Sequence, residues 1–112
     1  METILIPIQG NHVAPRFDLT PEVWLGDYDP QTFEPQGRIL VLPQPSADKV
    51  CQMVIDEKVS IVICGGIEAQ HYDYLRWKRI RVYDSVIGKY ADAVQALAVG
   101  RLQSEMIFPF GC

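Results

Sequence analysis

A cysteine and two glycines mark the point where an apolar segment gives way to a polar one, at Cys64-Gly65-Gly66. The preceding run, Val59–Ile63, has the nearly continuous apolar character of a strand buried on both faces, and His71 follows in the first turn of a predicted helix. A thiolate is a natural ligand of iron–sulfur species, and paired glycines let an anion approach a helix start. Cys64 is equally consistent with a small apolar core residue, and the glycines are also consistent with a tight turn.

A second segment with suitable side chains, Gly10–Asp18, follows the apolar run Ile4–Ile8. It contains His12, which is flanked by glycine, asparagine and proline and is therefore not expected in the core. It also contains Arg16, whose fork of donors suits an anionic cluster or a phosphate. A carboxylate such as Asp18 is the simpler partner for this arginine.

Whether these residues form one site depends on the order of the strands. If the strands at Ile4–Ile8 and Val59–Ile63 are parallel neighbours, their carboxyl ends share one edge of the sheet. His12, Cys64 and His71 then converge there as candidate metal ligands, although each histidine alone is more often a solvated surface residue. The full candidate site comprises His12, Arg16, Cys64, Gly65, Gly66 and His71.

The composition indicates a single domain over residues 1–112, without a membrane segment or a nucleic-acid surface. The chain has 112 residues, of which 48% are hydrophobic, enough for one core and too few for two. The net charge of −4, without a basic patch, argues against nucleic-acid binding. No apolar run is long enough for a membrane span and the N-terminus lacks a signal pattern, so a cytoplasmic location is expected. Three cysteines without a CxxC pair disfavour a disulfide framework and a structural zinc site.

Periodicity and turn residues predict an α/β domain with the element order βββαβαβα. The predicted strands are Thr3–Ile8, Val23–Tyr28, Arg38–Leu42, the run that ends at Cys64, and Ile80–Tyr83. Three helices are predicted. The first has an apolar stripe from Ala47 to Ile55 and Ser46 as its N-cap, the second covers Ala69–Arg79, and the third runs from Gly88 or Lys89 to Val99. Turn-forming residues between the second and third strands indicate a hairpin with a long loop. The expected result is a mixed five-stranded sheet whose second strand is antiparallel to the rest, with helices packed on it.

Three segments of the chain form a recognisable set: Val13–Asp18, Ile63–Ile67, and Ala93–Leu97 together with Gly100-Arg101-Leu102. Together they resemble the dinitrogenase iron-molybdenum cofactor biosynthesis family. The resemblance extends from Ile4 to about Leu102 and implies a ribonuclease H-like three-layer fold. The chain departs from the family after the glycine pair, where Glu68–Tyr72 stands in place of a further glycine and small residues. The tail beyond Leu102 matches no part of the family.

The resemblance implies a binding function. Members of the family carry or bind metal–sulfur precursors of the nitrogenase cofactor. The chain is therefore expected to be a carrier that holds an iron–molybdenum or related metal–sulfur cluster transiently during cofactor biosynthesis for nitrogen fixation, with cofactor-assembly proteins as partners. Two alternatives stay open: a small-anion or nucleotide sensor that uses the glycine turn and Arg16, and an interaction module whose apolar C-terminal tail docks on a partner.

Catalysis is disfavoured by what the sequence lacks. A ribonuclease H-like nuclease needs an acidic residue on its first strand to hold metal ions, and the run Ile4–Ile8 has none. No Walker-type loop, dinucleotide fingerprint or Gly-x-Ser-x-Gly motif is present. A catalytic pair with Cys64 as the nucleophile and His71 as the base would lack an evident third group to orient the histidine. The protein is therefore expected not to be an enzyme.

Overall fold

Alternating apolar residues build the central strand of the sheet. In the computed structural model, which describes residues 2–17, 21–28, 36–98 and 100–107, this strand, β1, spans Glu2–Gln9. Ile4 and Ile6 face one side of the sheet and Leu5 the other, and all three are fully buried. A strand that buries both faces must lie inside the sheet, with helices on each side.

The described residues form six strands and three helices. After β1 they are β2 (His12–Val13), β3 (Glu22–Tyr28), β4 (Gln36–Val41), α1 (Ala47–Asp56), β5 (Ile61–Ile63), α2 (Ala69–Trp77), β6 (Arg81–Tyr83) and α3 (Tyr90–Ala98). The strands follow the order β4-β3-β1-β5-β6, with β2 paired to β1. β3 is antiparallel to β1 and β4, whereas β5 is parallel to β1 and β6. The predicted mixed α/β domain with an antiparallel hairpin strand is confirmed.

The predicted count of five strands is wrong, because it misses β2. This strand pairs antiparallel with the end of β1, His12 opposite Gln9. The connecting turn has only two residues, and Gly10 adopts the positive φ of 61° that such a turn requires at its first position. Two residues are too few to show the alternation of apolar and polar residues by which strands are recognised.

Helices cover both faces of the sheet, which gives the expected layers. α1 and α2 pack on the face that carries Leu5, through Val54 and Leu75. α3 packs on the opposite face, where Leu97 contacts the cluster that contains Ile6. The ribonuclease H-like assignment stays a prediction.

The ends of the helices follow local chemistry. The Ser46 hydroxyl accepts a hydrogen bond of 3.2 Å from the Lys49 amide, so the predicted cap of α1 is confirmed. α2 ends at Trp77, two residues earlier than predicted, and Arg79 then turns the chain with a φ of 66°. Gly100 follows α3 with a φ of 76°, as its role as a stop residue requires.

Some expectations fall on residues outside the described ranges. These are Asp18 as a partner for Arg16, the long hairpin loop over 29–35, Val99 as the end of α3, and the tail at 108–112 with Cys112. Within the described ranges, no helix has both the length and the apolar content needed to cross a bilayer.

Candidate functional site

All three helices begin at the same edge of the sheet, the carboxyl edge of β1, β5 and β6. These three strands are parallel, so the segments that follow them, including Gly10, Cys64 and Asp84, lie at that edge. β4 points the same way, because both β1 and β4 are antiparallel to β3. Helix N-termini present free amides and the positive end of the helix dipole. In a sheet of this kind, the carboxyl edge is where ligands bind.

Two loops at this edge are joined through their backbones. Arg16 and Gly66 form a parallel β-bridge. The Gly66 amide donates to the Pro15 carbonyl at 2.7 Å, and the Phe17 amide donates to the Gly66 carbonyl at 2.8 Å. The structure thus brings Arg16 and the glycine pair together, as the parallel pairing of β1 with β5 requires.

The space available for a side chain differs between Gly65 and Gly66. A Cβ at Gly65 would collide with the carbonyl oxygens of Ala14 and Pro15, so the close approach of the two loops excludes a side chain there. At Gly66, which is exposed, a Cβ would meet only the Pro15 carbonyl oxygen, at 3.3 Å. Because the Gly66 amide already donates to Pro15, it is not free to hold an anion. The glycine pair therefore serves to join the loops.

Arg16 lies at the surface beside the start of α2. Its Nη2 atom is 3.9 Å from Oε1 of Glu68, and the two side chains are 53% and 54% exposed. Glu68 is the N-cap residue of α2, but its side chain makes no capping hydrogen bond. An exposed ion pair of this length contributes little to stability, so an anionic ligand can displace the carboxylate at small cost.

Cys64 lies in the core, between the sheet and the layer of α1 and α2. Its side chain is fully buried, and its amide donates to the Tyr83 carbonyl at 2.9 Å. Burial, with a smaller contribution from the Asp84 carboxylate, raises the pKa of the Cys64 thiol far above its ordinary value. The neutral thiol is a poor metal ligand, so of the two interpretations of Cys64 the structure favours packing.

The two histidines lie beside the starts of different helices at the carboxyl edge. His71, in the first turn of α2, has its ring centroid 6.0 Å from that of Phe17, on the face covered by α1 and α2. His12 lies beside the start of α3, where it forms an antiparallel bridge with Lys89. A groove of about 360 Å³ runs past His71, and its lining residues are Asp48, Cys51, Gln52, Gln70, His71 and Tyr74.

The candidate metal ligands do not form a three-residue metal site. Among residues 2–17, 21–28, 36–98 and 100–107, no three His, Cys, Asp or Glu side chains lie close enough together to hold an ion. His12 and His71 lie beside the starts of different helices, and Cys64 is buried as a thiol. What this edge offers a ligand is therefore the two exposed cations Arg16 and Lys89, which lie among carboxylates, and single imidazoles.

Sequence reasoning missed two residues of this edge, Glu68 and Lys89. Lys89 is exposed and immediately precedes α3, next to His12. The Val13 amide donates to the Gly88 carbonyl at 2.9 Å, which fixes this contact. A lysine at the start of a helix opposes the helix dipole, and that unfavourable placement was the available signal.

The fold and this edge define an α/β domain with three helix starts at one edge of its sheet, where the cations Arg16 and Lys89 lie among the carboxylates Asp48, Glu68 and Asp92. The sequence matches the family model described as dinitrogenase iron-molybdenum cofactor over residues 2–100, so the chain belongs to this family. The family is associated with iron-molybdenum cofactor biosynthesis and nitrogen fixation. No curated protein gives a significant match.

Several solved structures share the fold. The crystal structure of PH0822 has a TM-score of 0.80 at 19% identity, covering 92% of this chain and 94% of that one. A protein of Methanocaldococcus jannaschii, provisionally named a dinitrogenase, gives 0.70 at 17% identity, covering 90% and 91%. A Thermotoga protein, provisionally named a NifB protein of the DUF35 family, gives 0.66 at 19% identity and covers both chains fully. At these identities the likeness is one of fold.

The burial of the thiols predicts slow alkylation in the native protein. Burial, and secondarily Asp48, raises the pKa of Cys51 to about 11. At pH 8 this lowers the thiolate fraction about 100-fold relative to an ordinary cysteine, so Cys51 should react at least that much more slowly than in the unfolded chain. Cys64 should not react before unfolding. Iodoacetamide labelling followed by mass spectrometry, in a Cys112→Ser background, measures both rates.

The same shift sets the pH dependence of stability. A thiol whose pKa is raised by folding stabilises the native state below its ordinary pKa, and this contribution is lost as pH rises toward about 11. Rapid labelling of Cys64 in the native state at pH 8 would contradict the buried placement.

Proposed function

We propose that this protein is a non-catalytic carrier of an iron–molybdenum or related metal–sulfur cluster, or of a precursor of it, in cofactor biosynthesis. The family match over residues 2–100 supports the class of cargo. The observation that carries the proposal is that three helix N-termini lie at one edge of the sheet together with the exposed cations Arg16 and Lys89, beside the carboxylates Asp48, Glu68 and Asp92. Metal–sulfur clusters of this kind are anionic, and arginine, lysine and helix N-termini are groups that attract anions.

Arg16 and Lys89 supply the charge that attracts the cluster. The Arg16 guanidinium exchanges its weak pairing with Glu68 for charge-assisted hydrogen bonds to the cluster. Lys89, beside His12, provides a second positive charge on the α3 side.

Single imidazoles supply the ligation. His12 and His71 lie at the same edge, and a neutral imidazole nitrogen binds iron or molybdenum without the help of a thiolate. Because Cys64 is buried and no three-ligand group occurs among the described residues, binding is weak and reversible. A carrier has to release its cargo, and weak ligation allows release.

The test is anaerobic incubation of the protein with isolated iron–molybdenum cofactor, followed by gel filtration, metal analysis and visible absorption. Arg16→Ala and His71→Ala should each lower the amount of cluster retained by about tenfold, the expected effect of losing one charge-assisted contact or one ligand. Both side chains reach the surface, so unfolding curves should change little. Arg76→Ala is the matched control, since Arg76 is exposed in the last turn of α2, at the opposite end of the helix from His71.

The outcomes separate the carrier from its alternative. Full retention by the Arg16→Ala, His71→Ala double variant would place the cargo elsewhere on the protein. If the parent takes up no cluster but binds phosphate or a nucleotide in an Arg16-dependent way, the protein is a small-anion sensor that uses the same edge. Loss of retention in Arg76→Ala as well would indicate non-specific electrostatic binding.

A further inference from the structure

β4 ends the sheet with one side of its backbone open. It is the first strand in the order β4-β3-β1-β5-β6, and no strand among the described residues pairs with its outer side. Its side chains are largely exposed, including Ile39 at 49% and Val41 at 70%. An open strand edge with exposed apolar side chains and few charges is a template for pairing with another strand. Arg38 is its only charged residue.

The hydrogen-bond register shows which backbone groups point outward. The Leu42 amide donates to the Pro21 carbonyl at 2.7 Å, so Leu42 points its backbone toward β3. In an antiparallel ladder, the side to which the backbone amide and carbonyl point alternates from one residue to the next. Leu40 and Arg38 therefore also point toward β3, and the amides and carbonyls of Gly37, Ile39 and Val41 point outward.

This outward set is symmetric about Ile39. We propose that β4 pairs antiparallel with β4 of a second copy of this chain, with the twofold axis at Ile39, so that the two sheets become one. Ile39 then faces Ile39 of the second copy, and Gly37 faces Val41 in both directions. Each copy contributes three amides and three carbonyls, giving six interchain hydrogen bonds with no outward group of the set unpaired.

The side chains also suit this register. Ile39 pairs with Trp24 within the sheet, and Gly37 pairs with Gly26, so the outward set carries its side chains on the face of α3. The Trp24 ring covers both glycines, since a Cβ on either would collide with it. Val41 of the second copy, opposite Gly37, would therefore lie next to this ring, and the exposed Val41 side chain would be buried there.

Charge does not oppose the pairing. With the axis at Ile39, Arg38 lies opposite Leu40 of the second copy, on the other face of the sheet, and the two arginines are not opposite each other. Like charges directly opposite are the usual device that prevents edge pairing, and this register avoids them. A single strand pair buries less than about 1,200 Å², so the dimer should be weak and depend on concentration.

The test is sedimentation equilibrium from about 10 μM to about 1 mM, the range in which weak dimers form. The mass should rise from 12.7 kDa toward twice that value. Ile39→Lys places two like charges at the axis and should weaken the dimer about tenfold or more. Ile87→Lys is the matched control, because Ile87 is 51% exposed and lies outside β4; its mass should follow the parent's.

Amide hydrogen exchange of the parent protein supplies an independent readout. Exchange at Gly37, Ile39 and Val41 should slow as concentration rises, while Arg38 and Leu40, already bonded to β3, should not change. A mass of one chain at every concentration overturns the proposal. The proposal is also overturned if the dimer persists in Ile39→Lys and the exchange rates of the three outward amides of the parent do not change with concentration. This measurement decides the question even if Ile39→Lys does not fold.

Discussion

Replacing Gly65 with alanine is expected to lower the free energy of unfolding by about 3 kcal/mol. A Cβ at this position would collide with the carbonyl oxygens of Ala14 and Pro15, and both belong to backbone that is held on each side. The Gly65 carbonyl accepts from the Ser85 amide at 2.8 Å, so the loop cannot move away without breaking a third connection. Urea unfolding followed by circular dichroism measures the loss.

Gly66→Ala is the matched control for this prediction. The substitution is chemically the same, the position is adjacent, and the added Cβ meets only the Pro15 carbonyl oxygen, at 3.3 Å. The cost should stay below about 1 kcal/mol, because a shift of a few tenths of an ångström relieves the contact. Equal losses in the two variants would show that the glycines serve a common conformational role.

The parts of the fold that could be predicted from the sequence depend on local patterns. The run Ile4–Ile8 is apolar at nearly every position, and only a strand covered on both faces accommodates that. α1 shows a stripe at helical spacing after Ser46, a good N-cap, and both features arise within a few residues. Such signals do not require knowledge of the rest of the chain.

The contacts that shape the carboxyl edge join residues far apart in the sequence. The bridge from Arg16 to Gly66 and the one from His12 to Lys89 each join two distant loops, and no local pattern encodes them. The sequence could bring the first pair close only on the condition that the strands before them are parallel neighbours, which the structure shows. Lys89 could not be placed beside His12, because the contact depends on β2, a strand too short to recognise.

Cys64 shows a different limit of sequence reasoning. A cysteine at the end of a buried strand either turns its sulfur into the core or presents it at the edge, and the residue type fits both. The choice depends on what packs above it, here the layer of α1 and α2. Its burial follows from that layer, not from its own neighbours in the sequence.

Phe17 should account for much of the stability of the candidate site, and Phe17→Ala is expected to cost about 3–5 kcal/mol. Its side chain is fully buried in the cluster with Leu5 on the α1 and α2 face, and its ring lies against His71. Its amide donates to the Gly66 carbonyl, so one residue fixes the Arg16 loop to the core and to the neighbouring loop. Urea unfolding measures the loss, and a loss below about 1 kcal/mol would show that the loop is held by other contacts.

Phe17→Leu separates this structural role from binding. Leucine keeps most of the buried volume, so the loss should fall to about 1 kcal/mol and the loops should stay joined. Because Phe17 is buried and Arg16 is half exposed, substitutions at these adjacent residues should give opposite results. Phe17→Leu should lower the stability slightly and leave cluster retention near that of the parent. Arg16→Ala should leave the stability unchanged and lower cluster retention. Equal retention in both variants would mean that the cargo is held by the shape of the joined loops and not by the charge of Arg16.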